Sequence, residues 1–556
     1  MRKRLLCMVV ALSLVFTGVA CSKKPEDNSK DNSKTNYTNG ESKSNDSTSD
    51  YKDSAAGDDS NYAPIEYEAT SNECDVQVVG DDYYYDPSTE EYNSYPENEF
   101  IAVSKEALST FSADVDTASY SNMRRMINES GYVYDADAIR VEELLNYFKY
   151  DYDGPEKGEP FGVNVQVGKC PWNQDTLLMM IGMQTEAIDF AEGPDSNLVF
   201  LLDVSGSMDE PNKLPLMQQA FSMLAENLTS KDRVSIVTYA GEDAVILQGA
   251  KGSETNLIID KITNLEAGGS TAGSAGIQTA YELAQRYFIK GGNNRVILAT
   301  DGDLNVGLTT EYELTELITQ KRESGIYLSV LGFGTGNIKD NKMEALADNG
   351  NGNYSYIDSV FEAKKVLVDE LGANMVTVAK DVKFQVEFNP EWIKGYRLIG
   401  YENRVLNAED FDDDTKDAGE VGAGHSVTVL YELVPVSSEM EMEEKTTGSR
   451  YQVSSTNNEY KNELLNIQVR YKEPEEEKSK LLSYPVTLQA YTNKPSEDWK
   501  FASCIAEFAM VLKDSPFLEE GSMKHVIKRL NELEYRDGYR EEFKQLVNTT
   551  AKVKVD

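Results

Sequence analysis

Four short apolar runs in the middle of the chain indicate the first predicted domain. They are Leu198–Leu202, Val234–Tyr239, Val296–Ala299 and Tyr327–Phe333. Most of them lack an alternation of apolar and polar residues, which is typical of parallel strands covered on both faces. Amphipathic helical spacing follows the first run, at Leu214–Leu228. This repetition of strands and helices predicts an α/β fold with an open, doubly wound, mostly parallel sheet.

The sequence beyond this region alternates between apolar and polar residues. Val382–Phe388, Val427–Leu433 and Leu465–Tyr471 have an apolar residue at every second position, which is typical of half-buried antiparallel strands. Val163–Thr185 shows two similar strands before the α/β region. A pair of strands is barely stable alone. We therefore expect these strands to join the later ones in an antiparallel β-sandwich-like domain, into which the α/β domain is inserted.

Helical spacing marks both ends of the ordered sequence. Apolar residues recur at three- to four-residue intervals in Met123–Ile127 and Val141–Phe148, and again in Trp499–Leu512. Two more helices are predicted around Lys524–Leu533 and Arg540–Val547. We expect the C-terminal helices to pack on the N-terminal ones.

The first residues form a targeting segment. Basic residues precede an apolar run that is too short to span a bilayer comfortably, and small residues lead to Cys21. The ending Gly18–Cys21 resembles a bacterial lipobox, although Gly18 stands where leucine is usual. This resemblance implies lipidation of Cys21 and an extracytoplasmic protein, lipid-anchored to the cell membrane or the outer membrane. The alternative is a soluble secreted protein cleaved nearby.

The segment after Cys21 is rich in Ser, Asn, Asp and Lys, and then in acidic residues and tyrosine up to about Phe100. Such sequence cannot bury enough apolar surface to offset the entropy of ordering. We expect a disordered tether, and roughly 75 flexible residues reach about 50 Å.

These patterns divide the chain into six predicted regions. They are a lipoprotein signal peptide (1–21), a disordered acidic tether (22–99), an N-terminal flanking region (100–196), the α/β domain (197–377), a β-rich C-terminal flanking domain (378–490) and a C-terminal helical region (491–556).

Composition excludes one class of partner. The formal net charge is −41, and a surface that acidic repels nucleic acid and gathers cations. Cys74, Cys170 and Cys504 lie far apart without CxxC spacing, which argues against a zinc site. The sequence does not decide whether Cys170 and Cys504 form a disulfide.

Oxygen-bearing side chains follow two of the parallel strands. Asp203, Ser205 and Ser207 come directly after Leu198–Leu202, and Asp301 follows the strand that contains Val296–Ala299. A glycine-rich loop between them offers Thr271. Ligands bind at the carboxyl ends of strands in such sheets, near the point where the strand order reverses. Two carboxylates and three hydroxyls suit Mg²⁺, with Mn²⁺ or Ca²⁺ as alternatives, and leave a coordination position open.

This set of residues resembles the metal-ion-dependent adhesion site of von Willebrand factor type A domains. The DxSxS motif, the threonine and the second aspartate of that site are matched by Asp203, Ser205, Ser207, Thr271 and Asp301. The resemblance implies that the hydroxyls contact the metal directly or through water and that the aspartates do so largely through water. The open position then takes a carboxylate from a bound protein.

The sequence from about Phe100 onward also resembles bacterial lipoproteins in which this domain has dedicated flanking regions. Stretches such as STFSADVDTASYSNMRRMI before the domain and FNPEWIKGYRLIGYENRVL after it carry this resemblance. It supplies a fold and a metal site but no particular ligand.

Two classes of function fit these features. The first is an envelope-anchored, divalent-cation-dependent binding or adhesion module, whose partner is a protein that presents a carboxylate, or an envelope assembly factor within a complex. The second is a metal-dependent hydrolase. The two histidines, His425 and His525, fall on a predicted strand edge and a predicted exposed helix. A histidine-based triad is therefore disfavoured, and we expect a protein that is not an enzyme.

Two weaker motifs have ordinary structural explanations. Gly332–Gly336 reads GFGTG, an incomplete dinucleotide fingerprint that is better interpreted as a turn at the end of a strand. Asp209, Glu210 and Asp303 could hold a neighbouring regulatory cation. A solvated acidic rim is the favoured interpretation of these three residues.

Overall fold

The structure is a computed structural model, and it describes most of the chain from residue 89 to residue 553. The described ranges are 89–113, 116–188, 190–240, 242–269, 276–302, 311–416, 418–442, 460–474, 476–534 and 537–553. The predicted signal peptide with Cys21, most of the predicted tether, Thr271 and Asp303 lie outside them. Within these ranges, every helix is too short or too polar to cross a membrane.

The described strands fall into three sheets. In chain order they are β1 (Ile101–Ala102), β2 (Leu108–Ser112), β3 (Phe161–Lys169), β4 (Leu177–Thr185), β5 (Ser196–Asp203), β6 (Arg233–Ala240), β7 (Glu242–Lys251), β8 (Asn293–Thr300), β9 (Tyr327–Phe333), β10 (Tyr354–Ile357), β11 (Thr377–Phe388), β12 (Ile393–Ile399), β13 (Val405–Leu406), β14 (Gly419–Gly422), β15 (Ser426–Pro435), β16 (Glu463–Lys472) and β17 (Lys480–Thr487).

The described α-helices pack against two of these sheets. They are α1 (Ala118–Ser130), α2 (Val141–Asn146), α3 (Leu214–Glu226), α4 (Thr255–Thr263), α5 (Gly276–Arg286), α6 (Glu311–Glu323), α7 (Asp340–Asn349), α8 (Val360–Lys364), α9 (Leu371–Met375), α10 (Glu497–Leu512), α11 (Met523–Leu530) and α12 (Gly538–Val553).

The α/β region is a six-stranded sheet in the order β10-β9-β8-β5-β6-β7. All pairs are parallel except β6 with β7. The first strand, β5, lies inside the sheet, and later strands add first on one side and then on the other. Leu198, Phe200 and Leu202 pack on one face of the sheet, while Val199 and Leu201 pack on the opposite face. The predicted doubly wound, mostly parallel α/β fold is confirmed, and the strand order reverses beside β5.

The flanking β domain contains two antiparallel sheets that share a core. One has the order β1-β12-β15-β4-β3, and the other has the order β13-β2-β11-β16-β17, with β14 paired to β11. Strand β4 pairs with β15 over eight residues, from Gln184 opposite Ser426 to Leu177 opposite Leu433. The predicted sandwich is therefore confirmed, as is the insertion of the α/β domain between β4 and β11.

Strand β4 is apolar at consecutive positions because it lies between two hydrophobic cores. Met179, Ile181 and Met183 face the core between the two antiparallel sheets. Leu178 and Met180 instead face a second core, which the terminal helices form. That helical core includes Met123 and Leu144 from the N-terminal helices and Phe501 and Phe543 from the C-terminal ones. The expected packing of the C-terminal helices on the N-terminal helices is confirmed.

The predicted tether boundary at residue 99 is wrong. Thr89 and the residues after it contact the folded part of the chain, because their polar side chains find buried partners there. Glu90 pairs with the buried Arg125 at 2.9 Å, and Glu97 lies 3.7 Å from the buried Arg397. Specific ion pairs thus order a segment that is too polar to form a core of its own.

Two further expectations are resolved by the packing. Cys170 and Cys504 are both free and buried, so they do not form a disulfide with each other. His525 is not exposed as expected, since its ring lies 2.7 Å from the buried Glu507. His425 lies in the turn between β14 and β15.

Candidate metal centre

Two buried carboxylates meet at the carboxyl edge of the parallel sheet. Asp203 is the last residue of β5, and Asp301 directly follows β8. The two strands are paired in parallel, with Leu202 opposite Ala299, so their ends coincide. Both aspartates are 0% exposed. The strand pairing thus brings together residues that lie almost a hundred positions apart in the chain.

The two serines turn back over this edge. The backbone N–H of Ser205 donates to Oδ1 of Asp203 at 2.9 Å. A short 3₁₀ turn, Gly206–Met208, then brings the Ser207 hydroxyl within 3.0 Å of the Ser205 hydroxyl. Ser205 is buried and Ser207 is exposed. The hydroxyl pair therefore extends from the buried carboxylate towards solvent.

Two glycines pack the next loop against the serines. The N–H of Gly268 donates to the carbonyl of Val204 at 2.8 Å, and Gly206 donates to the carbonyl of Gly269 at 3.3 Å. Gly269 has a φ of +84° and lies against the carbonyl of Ala240, a conformation that favours glycine. Thr271, two residues further along the chain, lies outside the described residues.

Burial dominates the electrostatics of this edge. It raises the pKa of Asp203 to about 6 against the hydrogen bonds from Ser205, which lower it, and the nearby Asp301 charge raises it further. The hydroxyl of Tyr239 is buried beside Asp203 and Thr300. A bound cation would favour the ionised carboxylates and could use the lone pairs left at this edge.

Lys213 places a cation beside Asp301. Its ammonium lies 3.2 Å from Oδ2 of Asp301 and 3.5 Å from Oε1 of Glu210. The lysine side chain is buried. Among the described residues of this edge, Lys213 is a cationic side chain in contact with one of the two buried carboxylates. The oxygen donors of this edge fit a hard divalent cation such as Mg²⁺.

The acidic rim and the GFGTG stretch have the ordinary structural roles that the sequence indicates. Asp209 and Glu210 are exposed at the rim, as expected for solvated residues. Gly334 and Gly336 have φ values of +79° and +87° directly after β9, so the GFGTG stretch is a strand-ending turn. His425 lies between β14 and β15 of the β domain, and His525 lies in α11.

Sequence patterns missed Lys213 and Tyr239. Lys213 precedes the apolar stripe of α3 and resembles an ordinary solvated residue at a helix start. Tyr239 belongs to the apolar run of β6 and resembles a core residue. Both acquire their roles through contacts with distant residues, and local periodicity carries no signal for such contacts.

Three family models match the chain. The model described as von Willebrand factor matches residues 86–180, and the von Willebrand factor type A domain matches residues 197–370. The model described as the C-terminal region of the uncharacterized protein YfbK matches residues 373–553. Together these matches cover the described part of the chain almost completely.

Some solved structures match parts of the chain at low identity and low TM-score. A von Willebrand factor type A protein from Catenulispora acidiphila is 14% identical with a TM-score of 0.38, over 69% of this chain and 88% of that one. The conserved hypothetical protein BatB from Bacteroides thetaiotaomicron is 20% identical with a TM-score of 0.26, over 32% of this chain and 97% of that one.

Curated relatives establish the family. A UPF0353 protein from Mycolicibacterium paratuberculosis is 25% identical over 189 residues, which cover 30% of this chain and 57% of that one. The uncharacterized protein YfbK from Escherichia coli K12 is 39% identical over 470 residues, which cover 83% of this chain and 81% of that protein. The chain therefore belongs to the YfbK family of von Willebrand factor type A domain proteins.

Proposed function

We propose that this protein is an envelope-anchored, divalent-cation-dependent binding module. A von Willebrand factor type A domain suggests a protein-interaction or adhesion module. The metal in this proposal is Mg²⁺, or Mn²⁺ or Ca²⁺ in its place. The partner is a protein that presents a carboxylate.

One observation carries this proposal. Asp203, Asp301 and the hydroxyls of Ser205 and Ser207 converge at one edge of the parallel sheet, with the carboxylates buried and the hydroxyls leading to solvent. Burying two carboxylates side by side is unfavourable unless positive charge balances them. A cation-binding role provides that balance in addition to the one charge of Lys213.

Each residue has a distinct role in this proposal. Ser205, Ser207 and Thr271 contribute neutral oxygens, and the two aspartates contribute charge, directly or through water. A Mg²⁺ bound there would supply a coordination position open to an oxygen of a partner. The exposed Ser207 lies on the side from which a partner would approach.

Thermal melts in millimolar Mg²⁺ and in EDTA test the site. Mass action predicts that the metal stabilises the wild type by about 2.7 kcal/mol at a hundred times Kd. Ser205→Ala and Asp301→Asn should lose most of this shift, because few protein ligands hold the metal. Asp301→Asn should also lower the melting temperature in EDTA, since Lys213 loses the buried one of its two carboxylate partners.

Ser196→Ala is the matched control for Ser205→Ala. Ser196 is also a buried serine, and it begins β5, whereas Ser205 follows the other end of that strand. It should keep the full metal-induced shift. Equal shifts in all four proteins would show that Ser205 and Asp301 are ordinary turn residues.

The anchoring part of the proposal rests on Cys21. Lipidation there would hold the protein on the cell membrane or the outer membrane outside the cytoplasm. Cys21→Ser should abolish partitioning into the detergent phase and release the protein, or leave its signal segment uncleaved. Cys74→Ser is the control and should partition as the wild type does. Unchanged partitioning of Cys21→Ser would contradict the lipid anchor.

A further inference from the structure

A residue outside the motif makes a buried charge contact at the candidate metal centre. The Lys213 ammonium lies 3.2 Å from Oδ2 of Asp301, and the two side chains are 4% and 0% exposed. A long charged side chain normally keeps its head group in water. Here the head group is turned inward onto an aspartate of the site.

The fold provides a dedicated place for the lysine stem. A β-carbon at Gly334 would overlap Cγ, Cδ and Cε of Lys213, and Gly334 has a φ of +79°. Only glycine leaves this space without strain. The backbone of Lys213 is fixed as well, because its carbonyl accepts the N–H of Met217 at 2.8 Å and its N–H donates to Glu210 at 3.0 Å.

We propose that Lys213 is an internal cation that competes with the divalent metal for Asp301. This inference rests on the proposed metal-binding function. In the metal-free protein, the ammonium lies against Oδ2 of Asp301 and occupies the side of the carboxylate that it contacts. An incoming metal must displace the ammonium or bind against its charge.

The expected size of this effect follows from Coulomb's law. A unit charge a few ångströms from a divalent cation lowers metal affinity by roughly tenfold or more, even at the effective dielectric constants of protein surfaces. Lys213 therefore lowers the affinity of the site, so that cation concentration can regulate occupancy. Removing the Lys213 charge has two consequences that act together. Asp301 loses its contact with the ammonium in the free protein, and the repulsion between the ammonium and the metal is absent in the loaded protein.

The test is Mg²⁺ binding by isothermal titration calorimetry on the purified full-length protein, with Mn²⁺ binding by electron paramagnetic resonance as a second readout. Lys213→Met should bind both metals at least roughly tenfold more tightly than the wild type. Lys213→Arg keeps the charge and should remain close to wild-type affinity. If Lys213→Met does not fold, Lys213→Gln removes the charge while retaining a hydrogen-bond donor.

Lys365→Met is the matched control. Lys365 is another lysine with a 4% exposed side chain, and it lies 2.7 Å from its partner Glu370. Its removal costs stability but should leave metal affinity unchanged. Unchanged or weaker binding by Lys213→Met, with the wild type still binding metal, would overturn the role of Lys213 alone. No binding by either protein would overturn the metal site and this inference together.

Discussion

Single residues decide whether the inserted domain and the β domain can pack. Gly422 ends β14, and its carbonyl accepts the Thr185 hydroxyl at 2.8 Å. A β-carbon at this position would overlap the carbonyl oxygen of Ala373 in α9. The neighbouring Ala423 N–H donates to the carbonyl of Val376 at 2.8 Å, which holds the two backbones together. The close approach of the two domains thus depends on the missing side chain.

Gly422→Ala should therefore destabilise the protein strongly. Overpacking against a neighbour typically costs about 1–3 kcal/mol, and a backbone atom cannot move aside as a side chain can. Chemical denaturation followed by circular dichroism measures the loss. Gly154→Ala is the control, because a β-carbon there meets nothing within 4 Å, and it should stay within about 0.5 kcal/mol of the wild type. A similar stability for the two variants would show that the interface adjusts.

At the scale of elements, a short N-terminal strap fastens the loop beside the candidate metal centre. The strap is Thr89–Glu91, and it pairs with the loop Gly336–Lys339 through hydrogen bonds from Thr89 to Gly336 at 2.8 Å and from Glu91 to Ile338 at 2.9 Å. The same loop packs on Gly302, where a β-carbon would overlap the carbonyl of Asn337. The strap thus connects the start of the folded chain to the residue that follows Asp301.

Removal of the strap's buried anchor should loosen this loop. Glu90 pairs with Arg125 at 2.9 Å and accepts the N–H of Gly336 at 2.9 Å. Glu90→Ala should raise amide hydrogen exchange across residues 336–339, because it breaks both contacts. Glu91→Gln is the control, since Glu91 is half-exposed in its ion pair with Lys339 and exposed pairs contribute little. Equal protection in both variants would refute the anchoring role of Glu90.

At the scale of the whole molecule, buried charges tie together elements from three regions. Arg124 of α1 lies 2.6 Å from Asp358 and 2.7 Å from Glu362, both in the inserted domain. The same guanidinium lies 3.2 Å from Glu542 of α12. Removing one partner of such a pair is costly because a buried charge remains. The inserted domain is therefore bound to the helical core as well as to the sandwich.

His425 lies at another junction of the same regions. It lines a cavity of about 30 Å³ together with Asn146 beside β15 and Glu370 and Asn374 of the inserted domain. Burial lowers its pKa to about 4, with Lys365 and Lys149 acting in the same direction and Glu370 opposing them. Its Nδ1 finds no hydrogen-bond partner among the described residues. The neutral ring is thus the form that the folded protein holds.

Acidification should therefore weaken the fold through His425. At pH 7 the ring is neutral in both states. Between about pH 6.5 and pH 4 the unfolded chain takes up a proton that the folded protein does not. The free energy of unfolding therefore decreases as the pH is lowered, by up to about 1.4 kcal/mol per pH unit. Urea unfolding at pH 7, 6 and 5 should show a steeper loss for the wild type than for His425→Gln. Parallel pH profiles of the two proteins would contradict this prediction.

Local patterns in the sequence were sufficient for the strands and the helices, and they supplied the set of candidate metal ligands. Apolar periodicity depends on which faces of an element are buried, so it identified β5 as a strand covered on both sides and Val427–Leu433 as half of a sandwich. The DxSxS motif spans five residues directly after a strand, so its position followed from the strand itself. The insertion was predictable because an isolated pair of strands cannot bury its apolar face.

The tertiary structure alone decided the contacts between distant residues. Lys213 and Asp301 are 88 positions apart, and Glu90 pairs with Arg125 across 35. Each of these side chains is polar or charged, so periodicity predicts solvent exposure for it, whereas the fold buries it against an opposite charge. The segment from Thr89 to Glu99 was misassigned for this reason. The free energy of a charged side chain depends on its neighbours in space, and only the packed chain specifies those neighbours.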